Sequence, residues 1–130
     1  VRDFAGGIVV HVTVGVAALV VAVMIGRRVD QTQVPHNPGY VLIGAAMLWV
    51  GWFGLNGGSA LAANGAAANA MAVTHIAAVA GAMSWCIWEG VRTGKVTLVG
   101  LVSGLVAGLA TATPTASYIH PVAAMISGGI

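Results

Sequence analysis

Residues 6–26, GGIVVHVTVGVAALVVAVMIG, run through twenty-one positions without one Asp, Glu, Lys or Arg. A helix of ~20 such residues spans a hydrocarbon core of ~30 Å, and only helices and closed barrels satisfy every backbone amide there. The remainder of the chain has the same character. Across its 130 residues, 58% are apolar and 6% charged, with a mean hydropathy of +0.95. Alternating strands of about ten residues, the mark of a membrane barrel, are absent. The sequence therefore predicts an all-α polytopic transmembrane bundle.

Breaks in hydropathy predict spans at Gly6–Ile25, Gly39–Leu61, Ala67–Glu89 and Val96–Ala112. A fifth apolar stretch, Tyr118–Ile130, is too short to cross. With Val1 at one end and MISGGI at the other, we expect residues 1–130 to be part of a single membrane domain that extends beyond both ends. Arg27 and Arg28 follow the first span, and Arg92 and Lys95 follow the third, whereas the loops near Asn64 and at 113–117 carry no basic residue. The positive-inside rule then puts 26–39 and 92–95 in the cytoplasm and 113–117 outside.

A net charge of +2 from so few ionisable groups gives no surface for nucleic acid. The lone Cys86 can form neither an internal disulfide nor a thiolate metal site by itself. His36 and His120 have no neighbours at metal-ligand spacing, so neither a metal nor a cofactor is expected. Nucleophile, base and orienting acid occur nowhere together, which argues against an enzyme. Gly100, Gly104 and Gly108, in GLVSGLVAG, recur on one helical face and predict close helix packing. Trp88 and Glu89 are expected at the cytoplasmic interface, Glu89 as a solvated charge.

His11 is the polar residue that lipid would penalise most. It lies about 9 Å inside its span at 1.5 Å per residue, with Gly7, Val14 and Gly15 on the same face. Two readings stand at this point: an ionisable group lining a permeation path, and a neutral imidazole hydrogen-bonded to a neighbouring helix.

Three stretches, DFAGGIVVHVTVGVAALVVAVMIGRR, PHNPGYVLIGAAMLWVGWFGLNGGSALAANG and NAMAVTHIAAVAGAMSWCIWEGVRTGKVTLVGLVSGLVAGLATATP, resemble in register the ammonium transporter, methylammonium permease and Rhesus protein family. The resemblance covers nearly the whole chain. It implies an eleven-helix homotrimer in the plasma (inner) membrane, embedded in lipid, with a pore for ammonium or ammonia through each subunit. This chain would supply helices five to eight and part of the ninth. It also implies that His11 is the first of two pore histidines, the second lying in a later helix. Asp3 matches an acidic residue at the outer start of the same helix, where capping of free amides is the expected role.

In GWFGLNGGSA, residues 51–60, Ser59 matches a serine of the outer ammonium site and Trp52 a pore-wall tryptophan. Leu55 stands where the family has a gate phenylalanine, keeping an apolar plug without the ring face that attracts cations. Trp49 is expected to be packing, and His75 structural. By the same resemblance, a PII-type signal protein would contact the cytoplasmic loop Arg27–Asn37. The implied function is ammonium deprotonation at an outer site and passage of NH3 past His11. The alternatives are an ammonium-sensing membrane domain and a purely structural bundle.

Overall fold

The structure, a computed structural model, describes residues 2–29 and 34–130. The described residues contain five helices: α1 (Gly7–Ile25), α2 (Pro38–Gly58), α3 (Gly65–Thr93), α4 (Leu98–Ala112) and α5 (Pro121–Gly129). The helix starts follow local chemistry. Asn37, Asn64 and Thr97 each accept a hydrogen bond from the amide three residues on, at Tyr40, Ala67 and Gly100, satisfying donors that no helical carbonyl reaches. Pro38 occupies the first turn of α2, where its missing N–H costs nothing. At the other end of α3, Gly94 takes a left-handed φ of 72° and its amide closes onto the Gly90 carbonyl.

Three helices are long and apolar enough to cross a membrane: α1 with 19 residues, α2 with 21 and α3 with 29. The fourth expected span, Val96–Ala112, is present as the shorter apolar helix α4. α4 has 15 residues, about 22 Å at 1.5 Å per residue. It begins only after the Thr97 cap and gives way at residues 113–119 to successive turns around Pro114. α3 departs in the other direction, continuing past Glu89 to Thr93.

The body of the fold is α3 packed on α4 and α5. Gly100, Gly104 and Gly108 are buried as a single face of α4. A Cβ at Gly104 would collide with the Gly81 carbonyl, and one at Gly108 with the Ala77 carbonyl, so backbone lies directly on backbone. Gly128 brings α5 against the same Ala77. Ala70, Val73 and Ala77 of α3 complete this core with Ala112, Ala116 and Ala124. Asn69 ties in the loop that follows α4, its amide nitrogen donating to the Ile119 carbonyl at 3.1 Å.

α2 joins the body through a buried polar pair: Asn56 Nδ2 donates to Thr74 Oγ1 at 2.8 Å, and that hydroxyl donates to the Ala70 carbonyl at 2.6 Å. α1 is attached differently. Only Gly7 of its residues is buried, against Thr113 and Pro114, and the Phe4 amide donates to the Pro114 carbonyl at 2.9 Å. Beyond that first turn, the valines of α1 are exposed.

Candidate functional site

Where α1 meets α2, His11 and Trp52 stack, with ring centroids 5.5 Å apart and an interplanar angle of 24°. The two rings and Leu55 line a groove of about 610 Å³ whose other walls include Met47, Leu48 and Gly51. His11 is the one titratable side chain in that lining. Its Nε2 is buried and has no hydrogen-bond partner among the described residues. His11 also borders a second groove of about 300 Å³ between α1 and the end of α4, walled by Ile8, Thr111 and Pro114. The imidazole thus stands between two spaces, and neither supplies it with a partner.

The pitch of α2 explains why Trp52 and Leu55 share this groove. Residues three and four apart occupy one helical face, so Leu48, Trp52 and Leu55 form a continuous apolar wall. Leu55 is 47% exposed into the open space beside it. Ser59 lies one turn further on, where α2 ends, and its hydroxyl donates to the Leu55 carbonyl at 2.7 Å. It is not among the groove-lining residues. Asp3 stands over the start of α1. Its Oδ2 accepts from the amides of Ile8 and Val9 at 3.0 and 3.3 Å, while Oδ1 is buried without a partner among the described residues. Gly6, the residue before the helix, has a left-handed φ of 75° and no side chain, so Asp3 supplies the carboxylate from three residues back.

The other sequence-selected residues lie elsewhere. His75 stacks on Trp49 at 5.1 Å and on Phe53 at 6.0 Å, away from the His11–Trp52 stack. His120 caps α5, its Nδ1 accepting from the Val122 amide at 3.4 Å, and His36 is exposed in the loop before α2. No group of three possible metal ligands occurs among the described residues. Residues 30–33, and with them the middle of the Arg27–Asn37 loop, lie outside the described residues.

Glu89 does more than the expected solvated charge: its partly exposed carboxylate accepts from the Thr97 amide at 2.9 Å and the Thr97 hydroxyl at 2.8 Å, bridging the end of α3 to the start of α4. Reading the sequence also missed Thr113. This residue is 1% exposed; it accepts from Trp52 Nε1 at 2.8 Å and donates to the Leu109 carbonyl at 2.8 Å. The available signal was a threonine directly before Pro114, at the end of an apolar helix.

Residues 1–130 match the family described as the Ammonium Transporter Family. An ammonium transporter of Aquifex aeolicus is 47% identical over 128 residues, which are 98% of this chain and 30% of that protein. The crystal structure of Saccharomyces cerevisiae Mep2 superposes with a TM-score of 0.90 at 37% identity, over 98% of this chain and 30% of that one. A structure titled Sensor Amt Protein superposes with a TM-score of 0.90 at 31% identity, over 98% of this chain and 34% of that one. The chain thus spans about a third of the length of the proteins it matches. With its apolar helices and this match along its entire length, the chain belongs to the ammonium transporter family and carries helices of an integral membrane protein.

Proposed function

We propose that residues 1–130 form part of a single membrane domain that moves ammonium nitrogen across the plasma membrane as NH3. The observation that carries this reading is the unpartnered Nε2 of His11 in an apolar groove walled by Trp52 and Leu55. A buried polar atom costs free energy unless it is hydrogen-bonded. That cost is offset when the ring nitrogen meets a passing donor or acceptor in the groove.

The chemistry follows from desolvation. Stripping water from a cation is far costlier than stripping it from a neutral amine, so an apolar path selects NH3 over NH4+. Ammonium is taken up at the outer end of α2, where Ser59 offers a hydroxyl oxygen. Near Leu55 it gives up one proton to water, NH4+ and H2O becoming NH3 and H3O+; the neutral molecule passes the His11–Trp52 pair while the proton travels separately by way of the imidazole. The lone pair of NH3 and an imidazole N–H, or an N–H of NH3 and a bare Nε2, are complementary along that path. Asp3 holds the start of α1 in place through its two amide hydrogen bonds.

The complete protein is proposed to be a homotrimer, with residues 113–117 outside and the Arg27–Asn37 loop facing a PII-type regulator in the cytoplasm. Its test is uptake of labelled methylammonium by cells lacking their own ammonium transporters and expressing the full-length protein. His11→Ala and His11→Asn are expected to change the rate or ion selectivity at unchanged membrane abundance. Similarity to the sensor structure favours a second reading, in which the same scaffold binds ammonium and reports it. Purified trimers in vesicles separate the two, because a sensor without conduction leaves the vesicle interior free of substrate.

A further inference from the structure

We propose that Thr113 is a positioning residue for the conduit: it fixes the His11–Trp52 pair from behind without touching what passes. The inference rests on the reading of that pair as the conduit wall. Thr113 sits at the end of α4, where α1, α2 and α4 converge. To α2 it offers its hydroxyl oxygen, which accepts the Trp52 indole N–H at 2.8 Å. The hydroxyl's own proton goes to the Leu109 carbonyl one turn back, also at 2.8 Å. A hydroxyl has one proton to give, so with that proton committed its lone pairs are left to receive the indole. The chain of bonds therefore has one direction and holds the indole in one orientation.

To α1, Thr113 offers its carbon atoms. A Cβ at Gly7 would lie 2.9 Å from both Thr113 Cβ and Cγ2, so the α1 backbone rests on this side chain. His11 is four residues from Gly7, one turn along the same face. Thr113 thus bears on both members of the stack, on Trp52 through a hydrogen bond and, together with Pro114, whose Cδ lies 2.8 Å from that Cβ position at Gly7, on His11 through the backbone beneath it. At 1% exposure, Thr113 is closed to substrate, and its influence is transmitted through the two rings.

The proposal predicts that the hydroxyl, rather than the volume, is what matters. Thr113→Val keeps the shape and leaves the indole N–H buried without an acceptor. Thr113→Ser keeps the oxygen and loses a methyl. In the full-length protein, Thr113→Val is expected to lower methylammonium flux about tenfold and to shift its pH profile in the same sense as Trp52→Phe. Thr113→Ser is expected to recover most of the flux and the wild-type profile. Combining Thr113→Val with Trp52→Phe is expected to be no worse than Trp52→Phe alone, since both remove the same bond.

Equal flux and pH profile in the Val and Ser variants would overturn the proposal, as would multiplying effects in the double variant. If Thr113→Val does not assemble, Thr113→Ala carries the same comparison, because it also lacks the oxygen. His11→Asn, measured alongside, separates this failure from that of the conduit. Altered flux in His11→Asn with wild-type behaviour in Thr113→Val sinks only the positioning role. Wild-type behaviour in His11→Asn sinks the conduit itself.

Discussion

The α3–α4 face and the α1–α2 groove are built from the same apolar vocabulary but solve opposite problems. Along α3–α4, glycine and alanine bring carbonyls of one helix onto the backbone of the next, and nothing wider than a hydrogen atom fits between. Along α1–α2, a histidine, a tryptophan and a leucine line an open groove, and a ring nitrogen has no partner among the described residues. In lipid, where burial of apolar surface gives helices no reason to associate, close packing must come from small residues and interhelical hydrogen bonds. The contrast teaches that this chain fixes its helices on one side so that it can leave room on the other.

The sharpest way to break that contrast is to give the packed side a side chain. Gly108→Val would drive methyl groups into the Ala77 carbonyl and the Ala78 backbone. We expect a loss of about 3 kcal/mol or more, at the upper end of overpacking costs, seen as absence of assembled protein on size-exclusion chromatography. Gly90→Ala is the control. Its Cβ would meet only Val96 Cγ2 at an ordinary 3.5 Å, and the protein should assemble normally.

Besides the Trp52–Thr113 bond, the two regions are linked by the Asn56–Thr74 pair. Thr74→Val removes the acceptor of a buried amide, with an expected cost of about 1–2 kcal/mol, read as a lowered unfolding midpoint in detergent. Glu89→Ala frees the start of α4 by deleting both Thr97 contacts. A cost of about 1 kcal/mol is expected, in the range of a lost helix cap, and Glu89→Gln should recover part of it. At the groove, Leu55→Phe should change stability least, since Leu55 is 47% exposed. It should leave methylammonium uptake intact or raise it. Complete loss of uptake with normal folding would mean that the groove is shaped for leucine alone.

Much of the packed region was legible in the sequence. Hydropathy placed α1 within a residue of its observed start at Gly7, and the four-residue recurrence of Gly100, Gly104 and Gly108 announced the buried face of α4. Helix ends were less legible, because hydropathy marks the apolar core and caps mark the helix. α3 runs to Thr93 because nothing interrupts its backbone before Gly94, although its charges begin at Glu89.

The groove was only half legible. His11 drew notice because its residue type is costly in lipid, and Trp52 and Leu55 through family resemblance. The stack itself joins positions far apart in the chain, and no local period predicts it. Thr113 and Glu89 escaped for the same reason: a threonine and a glutamate near helix ends look solvated until the partner helix is in place.

The central claim is that His11 takes part in the passage of ammonium nitrogen instead of merely filling space. It is tested most directly by ammonium-evoked currents across full-length trimers reconstituted in planar bilayers, recorded from pH 6 to 8 for wild type, His11→Ala and His11→Asn. Removing the imidazole should abolish the charge-coupled current or change its ion selectivity, with Asn unable to restore the wild-type pH dependence because it keeps bulk but carries no titrating group. Currents from wild type and both variants that agree in size, selectivity and pH dependence would contradict the claim and leave His11 a packed core residue.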